Sequence, residues 1–195
     1  MPALEESIAI LLDNMRITLG SEKNVELFGE QSHFYMKYNF FVLNTLKKPL
    51  FQRFLNWMLK KEEIDEYRVK DVQIRMFPFK KENGNGLVGS CNSKGKIILY
   101  PKGPEFCQGP MLRLGRENAK YYVKSRARAA LIHELLHLKY EHDEEKVREL
   151  TRKYFNIYAK HQGTRSPEER RIASMILNGD IHRSNKSSTN EGNET

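Results

Sequence analysis

Between Leu131 and Leu138 the chain reads Leu-Ile-His-Glu-Leu-Leu-His-Leu, and no other stretch restricts the fold as much. The leucines predict a helix buried along one side, and the interval of four puts His133 and His137 on one face, a single turn apart. Burying two imidazoles beside a carboxylate is costly unless a partner satisfies them. The chain must therefore provide both a core around this helix and an occupant for its polar face. With 195 residues, 39% of them apolar and 10% aromatic, there is material for one such core with helical additions, not for two full domains.

Hydrophobic periodicity sketches the rest. Ile8, Leu11, Leu12, Met15 and Leu19 recur at intervals of three and four, which predicts a first helix over Leu4 to Leu19, stopped by Gly20. His33 to Ile64 is rich in aromatic and apolar residues, and Pro49 divides it into two helices. Trp57 and its Phe and Tyr neighbours are read as core rather than as stacking platforms for bases. The alternation in Val72-Gln73-Ile74-Arg75-Met76-Phe77 predicts a strand, Lys80 to Gly86 a loop, and Lys96 to Tyr100 a second strand buried on both faces and closed by Pro101. Lys102 to Gly115, with three Gly and two Pro, reads as a long connection before a helix over Asn118 to Tyr140. A further helix runs from about Glu144 to Ala159, and Ser166-Pro167-Glu168-Glu169 opens the last one, which carries Ile172, Met175 and Ile176. Ser184 to Thr195 contains no apolar residue and is expected to be a disordered tail. The expected organisation is a helical region over 1–65, a core with C-terminal helices over 66–183, and the tail over 184–195.

The net charge of +8 excludes an acidic solvating protein and leaves nucleic acid or another polyanion open as a partner. Arg113, Arg116, Lys120, Lys124, Arg126 and Arg128, against Glu117 alone, form a candidate phosphate-contacting face, although such runs are more often solvated. No apolar run approaches the ~20 residues needed to cross a bilayer, and the N-terminus lacks the layout of a secretory signal. A cytoplasmic chain without membrane association is expected. Two cysteines, Cys91 and Cys107, make no disulfide framework.

The chemistry concentrates at His133-Glu134-Leu135-Leu136-His137, an HExxH pattern whose imidazoles can share one Zn2+ while Glu134 serves as general base toward water. A catalytic zinc needs a third protein ligand, and the turn after Tyr140 offers three. His142 is favoured by type. Asp143 stands ten residues after His133 but equally suits the cap of the next helix. Glu144 lies three residues before Val147 and so on that helix's inward face. Tyr140, Tyr154 and Tyr158 are each candidates for stabilising an oxyanion. Cys91, without an evident base, reads as a small packed residue, and His33, His161 and His182 are isolated.

Two segments together resemble a known family. Gly89-Ser90-Cys91-Asn92-Ser93-Lys94-Gly95-Lys96-Ile97 is similar to the GSCxSxGxI signature that precedes the active-site helix in YgjP-like metallopeptidases, relatives of the SprT-like group, and His133 to Lys139 is similar to their HELxHL stretch. The resemblance covers about residues 66 to 160. It implies an α+β, mainly helical zincin-like metallopeptidase core with a small β-sheet beside the active-site helix, to which this chain adds N-terminal helices. It also implies zinc on His133, His137 and His142, with Glu134 catalytic. The interval from His137 to His142 is one residue shorter than the family's usual one, and Lys146-Val147 replaces its usual aromatic residues. By the same resemblance an edge strand, Ile97 to Tyr100, pairs with an extended protein or peptide substrate. SprT-like relatives include proteases that cut DNA-attached proteins, so a peptidase acting on DNA-associated proteins is one expectation. The alternatives are a nucleic-acid-associated binding or regulatory protein and a structural metal domain without turnover.

Overall fold

The computed structural model describes residues 15–20, 29, 31–69, 71–79, 87–161 and 166–178. Over these the chain forms a mainly helical α+β fold around one long helix. In chain order the elements are β1 (Ile17–Leu19), α1 (Gln31–Leu46), α2 (Pro49–Lys61), a 3-10 turn (Glu66–Arg68), β2 (Asp71–Ile74), β3 (Gly89–Cys91), β4 (Lys96–Leu99), α3 (Pro104–Leu114), α4 (Arg116–Tyr140), α5 (Glu144–His161) and α6 (Pro167–Asn178). Among the described residues, no helix is long and apolar enough to cross a membrane.

The expected helix over Leu4 to Leu19 is corrected at its end: Ile17, Thr18 and Leu19 form a strand that pairs in parallel with Val72, Gln73 and Ile74 of β2. Pairing along a strand edge satisfies backbone groups that local helix periodicity had assigned elsewhere, and β-branched Ile17 and Thr18 suit it. The earlier part of that helix, the Lys80 to Gly86 loop and the Ser184 to Thr195 tail lie outside the described residues.

The four strands follow the order β1-β2-β4-β3, with β3 antiparallel to β4 and the other pairs parallel. Ile97 to Leu99 is therefore an inner strand, and the edge next to α4 belongs to β3, which corrects the assignment of the substrate-pairing edge to Ile97 to Tyr100. Nor is β4 sealed on both faces. Ile97 and Leu99 are buried while Lys96 and Ile98 are half-buried.

Pro49 does separate two helices, at the first turn of α2 where a missing N–H costs nothing. Gln52 donates to the Leu46 carbonyl at 2.6 Å, satisfying an orphan acceptor at the end of α1. Phe51, Phe54, Leu55, Met58 and Leu59 are buried, but Trp57 remains 42% exposed against Tyr154. The expected connection over Lys102 to Gly115 contains a helix, α3, because Pro104 occupies its first turn and Gly115, at φ 75°, ends it. Ser166 and Glu169 open α6 with a reciprocal capping box, at 3.1 and 3.2 Å.

One hydrophobic cluster runs from Val42 and Leu55 through Ile97 and Leu135 to Tyr154, so the core is continuous across residue 65. Against it lies a buried carboxylate that joins three elements. Glu62, just after α2, accepts hydrogen bonds from Tyr140 of α4 at 2.5 Å and from Tyr154 of α5, while Lys139 donates to its backbone carbonyl. Burial alone raises the pKa of Glu62, but the two phenols and the nearby Lys139 and Lys153 outweigh it and hold the group below the usual carboxylate range. Its stabilising contribution is thus fully present above its ordinary value of 4.5 and is lost as pH falls through the lowered folded value. Glu62→Gln is expected to cost about 1–3 kcal/mol at neutral pH and to flatten the acid limb of stability, measured by urea unfolding across pH. An unchanged acid limb would refute this role.

Candidate metal centre

The C-terminal third of α4 carries His133 and His137, whose rings meet edge to face with centroids 4.8 Å apart and Nε2 atoms 3.2 Å apart. Their outer nitrogens decide the tautomers. His137 Nδ1 lies 2.6 Å from the Glu141 carbonyl, which can only accept, so the ring proton sits on Nδ1. His133 Nδ1 faces Thr151 Oγ1 at 3.4 Å, and the Thr151 hydroxyl already donates to Val147 O at 2.7 Å, so Thr151 accepts and His133 is protonated there too. Both Nε2 atoms therefore present lone pairs to the same point.

Glu144, at the first position of α5, closes the triangle. Its Oε1 is 3.6 Å from His133 Nε2 and its Oε2 3.4 Å from His137 Nε2. Among the described residues, His133, His137 and Glu144 form a group able to hold a metal ion, with ligand atoms within 4.8 Å of one another. Two lone pairs and a carboxylate converging in this way repel one another, and a shared cation removes the repulsion. A tetrahedral ion with bonds of about 2.0–2.1 Å has edges of about 3.3–3.4 Å, so the spacing fits zinc. Burial pushes the His133 pKa down, and His137 and Arg148 add to this against the opposing pull of Glu144, which keeps the imidazole in its ligating form.

His142, expected as the third ligand, is exposed in the turn and lines the adjoining cavity without joining the group. The register of α5 decides this. Asp143 accepts from the Lys146 N–H at 3.0 Å as the helix cap, which makes Glu144 the first helical residue and turns it inward with Val147. The chain reverses through Glu141 at φ 42°, ψ −100°, a left-handed conformation uncommon outside glycine, and this aims the Glu141 carbonyl at His137.

Glu134 lines the same cavity as the pair and is 7% exposed, with burial raising its pKa to about 7 and Glu144 adding to the rise. Its neighbour is the backbone of β3. A Cβ on Gly89 would stand 2.6 Å from Glu134 Oε1 and 2.8 Å from its Cγ, so only glycine lets the strand approach. Cys91 is a packed thiol, pushed up to about 11 by burial and by Glu134. The centre opens into a cavity of about 920 Å³ between β3 and α5.

The tyrosines expected near an oxyanion do not line this cavity. Tyr140 and Tyr154 are engaged by Glu62, and Tyr158 is buried against Phe51 and Phe54. The six cations considered as a phosphate face also part company: Arg128 is buried over Phe51 and Tyr158, Arg126 lines the cavity, and Lys120 pairs with Glu117. Thr151 and Gly89 were not recognised as supports from sequence. For Thr151 a signal existed, a polar residue inside the apolar stripe of Val147, Leu150 and Tyr154.

No protein-family model matches the chain, and comparison with curated proteins and with solved structures finds no match.

Gly89→Ala is expected to displace Glu134 or shift β3, lowering stability by about 1–3 kcal/mol, read from the thermal midpoint. Thr151→Val, nearly isosteric, removes the acceptor of the His133 proton and should weaken zinc binding by about 10–100-fold in competition with a chromogenic chelator. Zinc affinity equal to that of the unmodified protein would show that Thr151 does not orient the ring.

Proposed function

We propose that the protein is a zinc-dependent peptidase with His133, His137 and Glu144 as the metal ligands and Glu134 as the general base. The observation that carries this is the convergence of two Nε2 lone pairs and the Glu144 carboxylate, at 3.2–3.6 Å, on one point open to a cavity that Glu134 also lines. A structural zinc is enclosed by four protein ligands, whereas three ligands with open access suit a reacting site. That difference favours turnover over a purely structural metal domain.

When bound, zinc would act as a Lewis acid that acidifies water and polarises a substrate carbonyl. The remaining work falls to residues of this chain. Glu134, poised near neutrality by burial, takes a proton from the attacking water on its carboxylate and returns it to the leaving amide nitrogen. Thr151 and the Glu141 carbonyl keep both imidazoles in the ligating tautomer. Arg148 donates to Glu144 Oε1 at 2.9 Å and steadies the third ligand. Among the described residues β3 pairs with β4 alone, so its other edge offers N–H and C=O groups to an extended protein segment laid beside α4. The resemblance of Gly89 to Ile97 and His133 to Lys139 to YgjP-like and SprT-like peptidases points the same way.

Elemental analysis of the purified protein should find zinc. His142→Ala should retain it, Glu144→Ala should lose affinity by more than about a hundredfold, and Glu134→Gln should keep the metal while slowing cleavage of an unfolded casein by about 10²–10⁴. A protein that takes up no zinc even when it is supplied would overturn the reading.

A further inference from the structure

The charged side chains around the cavity are unevenly divided. Among the described residues, Arg68, Arg126, Arg148 and Arg152 line it, with Glu134, Glu141 and Glu144 as the only acids and no lysine or aspartate. Glu144 faces the metal position, and a dication there would balance it and the nearby buried Glu134. With Arg148 paired to Glu144 and Arg152 bonded to the Leu177 carbonyl, Arg126 and Arg68 are left to meet a substrate, against Glu141.

Their placement follows the cleft. Arg126 precedes His133 by seven residues, two turns along the same face of α4, which is about 10 Å or some three residues of extended chain. It stands at the Val88 end of β3, where both line a small secondary pocket. Arg68 stands at the opposite end, near enough to Cys91 to lower its thiol pKa against the dominant effect of burial. Gly89, beside Glu134, lies between them. On the facing wall Arg148 leans on Glu144, and Arg152 donates to the Leu177 carbonyl at 3.4 Å.

We propose, on the basis of the peptidase reading above, that this cleft selects acidic protein segments, with Arg126 and Arg68 holding carboxylate side chains on either side of the scissile bond, about three residues away on the Arg126 side. Arg126 is well suited to the task. It stacks on Phe106 at 5.0 Å together with Lys102 at 5.5 Å, and two cations sharing one ring gain from an arriving anion. Burial, and Arg126 itself, already push Lys102 down to about 8. A carboxylate rather than the nucleic-acid backbone is favoured because the arginines flank a cleft along a strand edge, whereas the exposed cations of α3 and α4 do not continue into it.

The test uses zinc-loaded Glu134→Gln, titrated with short fluorescent peptides identical except for Glu, Gln or Lys at the flanking positions, and with a single-stranded oligonucleotide as competitor. The Glu peptide should bind at least about tenfold more tightly than the Gln peptide, and Arg126→Gln or Arg68→Gln added to this background should remove most of that advantage while leaving Gln-peptide affinity and the melting temperature in place. Equal binding of the three peptides, or an oligonucleotide that displaces the Glu peptide and loses affinity in the same arginine variants, overturns the proposal. Cleavage by the wild type separates the two readings. If it cuts Glu and Gln peptides equally well, the peptidase stands and the acidic preference falls. If it binds the Glu peptide selectively but cuts none, the preference stands and the peptidase falls.

Discussion

The angle at which α5 leaves α4 governs the distances in the candidate metal centre, because two of the groups able to hold an ion sit on one helix and the third begins the next. Three features hold that corner. Glu141 reverses the chain in a left-handed conformation, Asp143 caps α5, and the Glu62 carboxylate joins a phenol from each helix. The last is long range and the most demanding. A buried carboxylate is tolerated only when its oxygens are saturated with donors, so Tyr140 and Tyr154 cannot separate without leaving an unpaired charge in the core. The hydroxyls that sequence alone offers to catalysis are therefore spent on geometry.

Polar groups on α4 are divided by depth. His133 and His137 are half-buried and keep their inner nitrogens unprotonated, while Glu134 lies deeper, against the bare backbone of β3. A side chain on Gly89 would occupy the space that Glu134 needs, so the edge strand and this carboxylate require one another. This is why a single glycine in a three-residue strand matters more to the site than the bulkier residues around it.

Much of the helical architecture was legible in sequence. The buried stripe around His133 and His137, the division at Pro49 and the box at Ser166 and Glu169 rest on interactions between residues a turn apart, which spacing records directly. β1 was not legible, since a three-residue strand exists only through its pairing with β2, 55 residues on. Nor was α3, whose prolines and glycines suggest a connection until Pro104 and Gly115 are seen to occupy its two ends.

At the site the same boundary holds. Sequence by itself determined that two imidazoles and a carboxylate share a buried helix, because four residues make one turn whatever surrounds them. It also narrowed the third ligand to His142, Asp143 or Glu144. Only the tertiary structure shows that Glu144 is the one that stands with the two imidazoles, through a cap that sets the phase of α5 and through Glu62, which joins both helices. The choice of edge strand and the gathering of arginines around one cleft were decided there as well. Such features depend on elements distant in the chain meeting in space, and no local repeat encodes where they meet.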